Sequence, residues 1–229
     1  MSDFFLGLDL GQRADYTALS AIERIVRETG QTRTVTVQGE SRFTDGLGFT
    51  LKRPAMTAQE IAETESVYEV RHLERFPIGT PYPEIVARVV DLQSRGPLKD
   101  APCVTDATGV GAPVMDMLRA ARAYCVGVTI TGGDSVSQAN GEYRVPKRDL
   151  ASVCIVMLQA GRLQIANRLP GGIGPLLKKE LAAFRVKINL ATGHDSYEAW
   201  RESDHDDLVL SVALPLWYAE YLPPVTLSC

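Results

Sequence analysis

FFLGLDLGQRADYTALS, residues Phe4–Ser20, is the stretch on which the reading of the fold turns. An apolar run from Phe4 to Leu8 ends on a carboxylate, Asp9. A glycine loop follows, with a second carboxylate at Asp15, and a new apolar stretch begins near Tyr16. The first run reads as a central strand. An unpaired carboxylate buried there is costly, so Asp9 should be paired, protonated or bound to a metal. This stretch alone leaves a metal site, a phosphate loop and a plain turn open.

The chain has 229 residues, 45% hydrophobic and 23% charged, the composition of an ordinary globular protein. One domain spanning 1–229 is expected, long enough to bury a sizeable core. Residues 2–10 do not have the form of a signal peptide, and no run approaches the ~20 apolar residues that cross a bilayer. A cytoplasmic setting without membrane contact is therefore expected. Cys103, Cys125, Cys154 and Cys229 are scattered, with no CxxC pair, so a zinc knuckle is not expected. The first three sit in apolar company and read as small core residues. The net charge of −4 argues against a broad basic face gripping nucleic acid, though not against a local basic rim.

Tyr16–Val26 and Thr32–Gly39 read as two strands with a turn at Gly30, which with the first strand would make an antiparallel meander. Residues 43–66 read as a loop insertion with a short helix from Thr57. "VYEVRHLERFP" returns to strand character. "PYPEIVARVVDLQSRG" has a helical apolar face, stopped by Gly96 and Pro97. "PCVTDATGVG" is a short strand running into a glycine loop, followed by a helix with Pro113 near its start. "CVGVTIT" is a strand. A hairpin near 134–146 is expected around Asn140-Gly141, a strong turn signal. Helices are expected over "DLASVCIVMLQAG", "IGPLLKKELAAFRV" and "DHDDLVLSVALPLWYAEYL", with "RLQIA" a strand between the first two. The order is that of an α/β domain with a mixed sheet flanked by helices.

Three acidic sites lie where an element meets a loop: Asp9, Asp106, and the pair Asp206 and Asp207. Ligands of α/β sheets gather at the carboxyl ends of strands, and a helix start can deliver one more carboxylate there. Hard divalent cations prefer such oxygen ligands. Singly, each acid has a plainer reading. Asp9 and Asp106 could be turn residues, and "HDDL" a helix cap with a charge favourable to the helix dipole.

Together, "GLDLGQRADYTAL", "VTDATGVGAPVMDML", "ITGGDS", "VPKRDLASVCIVMLQAGRLQI", "LKKELAAF" and "YEAWRESDHDDLVLSVALPLW" resemble, in order, the nuclease domain of tailed-phage terminase large subunits. The resemblance runs from about residue 4 to about residue 218. It implies a ribonuclease H-like fold, related to the RuvC-type resolvases, with a mixed sheet of five or more strands. It implies a metal-dependent DNA endonuclease of genome packaging, working in the host-cell cytoplasm. Carried over, Asp9, Asp106 and Asp207 match the three catalytic acids, with Asp206 adjacent as a further metal ligand. The cofactors would be two divalent cations, Mg²⁺ or Mn²⁺, with Asp9 the best candidate to bridge them. The products would carry a 5′-phosphate.

The partner implied is double-stranded DNA. A separate packaging ATPase, a portal or a small terminase subunit are further candidates. The chain has no GxxxxGK[ST] motif, so it is not expected to translocate DNA alone. Arg144, Lys147 and Arg148, and separately Lys178 and Lys179, could contact phosphates; the plainer reading of each is a solvated charge. Asp15 and His205 are accessory candidates, for an outer-shell role or as turn and cap residues. Thr108, Gly109 and Gly111 should shape the turn after Asp106. Trp200, Trp217, Tyr197, Tyr218 and Tyr221 read as packing rather than a base-stacking platform. Pro215, inside the last helix, should kink it or remove a hydrogen bond. Two other readings stay open: an actin-like or sugar-kinase-type phosphotransferase, since "GLDLG" also opens those families, and a non-catalytic docking domain.

Overall fold

In a computed structural model, the structure describes residues 2–11, 15–44, 50–166, 169, 172–190 and 206–222. The first strand, β1 (Ser2–Asp9), is followed by β2 (Ala18–Thr44) and β3 (Thr50–Arg75). Helix α1 (Tyr82–Gln93), strand β4 (Cys103–Asp106), helix α2 (Gly111–Ala120) and strand β5 (Cys125–Thr131) come next. Strands β6 (Ser137–Ala139) and β7 (Glu142–Pro146) precede helix α3 (Lys147–Gln159) and strand β8 (Leu163–Ile165). Helices α4 (Gly174–Leu190) and α5 (Asp207–Tyr221) complete the elements. The eight strands form one mixed sheet in the order β6-β7-β5-β4-β1-β2-β3-β8. Strand β1 runs antiparallel to β2 and parallel to β4; β5 is parallel to β4 and β7. No helix of the described residues is long and apolar enough to cross a membrane.

The chain divides into two compact units, Met1–Ile25 with Val67–Cys229, and Val26–Ser66. The second consists of the later part of β2 and the earlier part of β3. Here the expected order is corrected twice. Strand β2 continues through Gly30, where a turn was expected. Gly30 takes a φ of +78°, which glycine adopts at no steric cost, so a local irregularity replaces a reversal. Thr29 stitches this point, its hydroxyl accepting from the Gln31 amide and donating to the Glu63 carbonyl, both at 3.2 Å. The expected helix from Thr57 is strand, part of β3.

In the larger unit, period-2 alternation sorts β1. Leu6, Leu8 and Leu10 pack with Ile85 and Val89 of α1 and Val114 and Leu118 of α2. Phe5 packs on the opposite face with α3, α4 and α5. Gly7 and Asp9 share the parity of Phe5, so they also face the α5 side. Helix α5 is buried from Asp207 to Ala219, as expected of a helix apolar all round. It lies so close on β1 that a Cβ built on Gly7 would stand 1.9 Å from the Ser211 carbonyl oxygen.

Pro215 sits within α5 and has no amide to offer Ser211, four residues earlier. The Ser20 hydroxyl of β2 donates to that carbonyl instead, at 2.7 Å. Ser20→Ala should orphan a buried acceptor, costing about 1–3 kcal/mol and, at this chain length, roughly 3–10 °C of melting temperature. In a Pro215→Ala background the helix amide returns and the penalty should shrink. Equal penalties in both backgrounds would refute this account. At the other end of α5, Arg24 donates to the carbonyls of Ala219 (2.9 Å) and Leu222 (3.2 Å) and pairs with Asp3.

The Asn140-Gly141 turn is as expected: both residues have positive φ, +54° and +80°, and Ala139 pairs with Glu142 across it. Trp217 stacks on Tyr221 and meets Tyr143 edge-on, a packing cluster. Trp200, Tyr197 and Cys229 lie outside the described residues. Cys103 and Cys154 are buried, their thiols pushed up to about 12 by burial; Cys125 is partly exposed.

Candidate metal centre

Asp9 ends β1 and Asp106 ends the neighbouring parallel strand β4. Leu8 pairs with Thr105, so the two carboxylates come one residue further on both strands. Val104 packs on the α5 side, and Asp106 shares its parity. Asp207 is the first residue of α5 and Asp206 its N-cap. Three remote acidic stretches thus meet at the carboxyl end of the sheet, beneath one helix start.

Their proximity bears on Asp9. This residue is only 8% exposed, and its carboxyl is pushed well above the usual carboxylate range. Burial is the largest cause, followed by Asp106, Asp206 and Asp207; Lys147 opposes them. Asp106 is also raised, chiefly by burial. Hydrogen bonds from Thr108 pull the other way, its amide donating to Asp106 Oδ1 at 2.8 Å. The Thr108 hydroxyl accepts from the Ile130 amide at 2.9 Å, which fixes this turn to β5. Gly111 is required there, because a Cβ would stand 2.0 Å from the Asp106 carbonyl oxygen. Gly11 has the same role after Asp9, where a Cβ would stand 2.4 Å from the carbonyl oxygens of Asp15 and Tyr16.

Two cations answer part of the acidity. Lys147 Nζ donates to Asp206 Oδ2 at 3.0 Å, so Asp206 makes an ion pair and no side-chain cap bond. Arg75, the last residue of β3, donates from Nε to Asp207 Oδ2 at 2.7 Å and from a terminal nitrogen to Glu180. Its guanidinium lies over the Tyr16 ring, 4.9 Å from the centroid. Burial pushes Glu180 up to about 7, although Arg75 and the Leu208 amide pull the other way. Five carboxylates therefore surround two basic side chains.

Among the described residues, no three His, Cys, Asp or Glu side chains stand in a group that would hold a single ion. Asp206 is paired with Lys147 and Asp207 with Arg75. The donor set still fits a hard cation: all its ligand atoms are oxygens, and the carboxylates outnumber the cations.

The other sequence candidates divide. Asp15 is exposed and does not figure among the groups that shift Asp9. His205 lies outside the described residues. Lys147, a candidate phosphate contact, pairs with Asp206 of the acid cluster. Arg148 is held by Asp134, through its carboxylate at 2.6 Å and its carbonyl at 2.7 Å. Arg144, Lys178 and Lys179 are exposed. Arg75 and Glu180 escaped the sequence reading. Glu180 left a trace, since it falls at helical spacing between the buried Leu177 and Leu181. Arg75 left none.

No family model and no curated protein matches the chain. Solved structures of the large terminase nuclease from thermophilic phage G20c are similar to it. The one with bound magnesium aligns at TM-score 0.50 and 19% identity, covering 94% of this chain and 80% of that one. The one with bound zinc aligns at TM-score 0.45 and 19% identity, covering 93% and 80%. At this identity the likeness concerns fold, and the magnesium-bound structure carries it. This chain, with its mixed sheet flanked by helices, has the ribonuclease H-like fold of the large terminase nuclease.

Proposed function

We propose that the chain is a divalent-cation-dependent endonuclease that hydrolyses DNA phosphodiester bonds. The observation that carries this reading is the meeting of Asp9, Asp106, Asp206 and Asp207 at one end of the sheet, with Asp9 buried among the others. A buried carboxylate raised by three neighbours calls for a positive partner, and Lys147 and Arg75 do not match four acids.

Asp9, Asp106 and Asp207, with Asp206 beside them, would hold two Mg²⁺ or Mn²⁺ ions. When bound, such ions lower the pKa of water and stabilise a leaving 3′-oxygen, which leaves a 5′-phosphate product. The residues of the chain supply the rest. Asp9, on the central strand, is raised by three neighbouring carboxylates and would be the natural shared ligand. The Thr108 amide holds Asp106 in place. Lys147 restrains Asp206 and offsets charge in the cluster. Arg144, Lys178 and Lys179, all exposed, would be available to DNA phosphates. Double-stranded DNA would be the substrate, in a host cytoplasm. A packaging ATPase, a portal or a small terminase subunit would be the protein partner.

Incubation of supercoiled plasmid with the purified chain tests this directly. Nicking should need Mg²⁺ or Mn²⁺, stop with EDTA, and fall more than about a hundredfold in Asp207→Ala, beyond the usual effect of an outer-shell residue. ATP turnover with no cleavage would sink the reading and favour a phosphotransferase; neither activity would favour a docking domain.

A further inference from the structure

Arg75 has no obvious place beside a metal, because a guanidinium repels the ion that carboxylates attract. Yet its side chain is only 14% exposed and is committed at three points. Nε donates to Asp207, a terminal nitrogen donates to Glu180, and the guanidinium face covers Tyr16. It joins the end of β3, the loop after β1, the middle of α4 and the first residue of α5. Charge balance alone does not ask for this arrangement, since a lysine would neutralise one carboxylate as well. A planar fork bonded to two carboxylates and stacked on a ring does more: it sets an orientation.

We propose that Arg75 is a positioning residue of the acid centre. Braced by Glu180 and the Tyr16 ring, it fixes the Asp207 carboxylate in the orientation in which that carboxylate takes a divalent cation. The inference rests on the metal reading above. An aspartate at a helix start would otherwise exchange rotamers and have to be ordered by the ion itself. Here the ordering is completed when α4, α5 and β3 come together. Glu180 acts one step further out, as the anchor of the guanidinium.

The test is Mn²⁺ titration of the full chain by calorimetry, with a thermal melt of each variant. Arg75→Met should weaken Mn²⁺ binding about tenfold or more, the range for outer-shell partners of metal ligands. Arg75→Lys should also weaken it, although the charge is kept, because the fork is lost. Glu180→Gln, which keeps shape and an acceptor oxygen, should weaken it by a smaller factor, about three to ten. A purely electrostatic role predicts the opposite sign: tighter Mn²⁺ binding in Arg75→Met, and wild-type binding in Arg75→Lys. Unchanged or tighter binding in Arg75→Met and Glu180→Gln, with Mn²⁺ bound by the wild type, overturns the role of Arg75 alone. Failure of the wild type to bind Mn²⁺ overturns the metal reading and this inference with it. Should Arg75→Met not stay folded, Arg75→Lys and Glu180→Gln decide by the same criterion.

Discussion

An Asp9→Asn protein should lose metal-dependent DNA cleavage and yet melt above the wild type in metal-free buffer. Both effects have one origin. Asp9 is buried at the end of the central strand, and Asp106, Asp206 and Asp207 add like charge to the desolvation it already suffers. Folding therefore raises its pKa. A group raised in this way contributes stability in full below its unfolded pKa and loses it as pH rises through the folded value. Without metal, the wild type should weaken as pH rises from acid to neutral, and Asp9→Asn should weaken less. Removing one poorly matched buried charge is worth on the order of 1–3 kcal/mol, or roughly 3–10 °C at this length. Mg²⁺ should reverse the ranking, because the proposed ion would stabilise the ionised cluster and would lack its shared ligand in the variant. Calorimetry between pH 4.5 and 8, with EDTA or Mg²⁺, checks this. A variant that melts below the wild type in EDTA at pH 8, or gains as much from Mg²⁺, would contradict it.

Gly7→Ala should be the most damaging small substitution in the sheet. Its Cβ would stand 1.9 Å from the Ser211 carbonyl oxygen and 2.4 Å from Pro215 Cδ. Neither neighbour can swing away: one is backbone, the other a ring closed onto backbone, and both lie in a buried helix. Helix α5 would have to lift off β1, at a cost of about 3 kcal/mol or more, which is roughly 6–12 °C. Because α5 carries Asp207, cleavage should fail together with stability. Gly127→Ala is the matched control in β5. Its Cβ would meet the side chains of Glu142 and Met115 at 3.3 Å, and both are flexible. It should change stability by less than about 1 kcal/mol. Similar melts for the two variants would show that α5 is not seated on β1 as described.

The parts of this architecture that were legible in the sequence are those set by short-range chemistry. The apolar run from Phe4 to Leu8 announced β1, and the positive-φ requirement of Asn140-Gly141 announced the β6–β7 turn. The apolar run after Asp207 announced α5. Gly30 misled because a glycine at φ +78° looks alike in sequence whether the chain reverses or continues. The stretch from Thr57 misled because Ala, Gln and Glu favour helix, while pairing in the β-ribbon overrides that preference. The acid positions could be listed from the sequence because each ends or begins an element. Their charge partners could not, since Arg75 and Asp207 are 132 residues apart and only the fold joins them. Pro215 shows the same limit: its lost hydrogen bond was evident, while its replacement by Ser20, 191 residues from the Ser211 carbonyl, was not.

The central claim is that Asp9, Asp106 and Asp207 share a divalent cation. Anomalous scattering from crystals grown with Mn²⁺ tests it most directly. The account predicts a peak within about 2.1–2.3 Å of a carboxylate oxygen of Asp9 and of at least one of Asp106 and Asp207. Mn²⁺ found only elsewhere, with Lys147 and Arg75 still paired to the acid cluster, would contradict it.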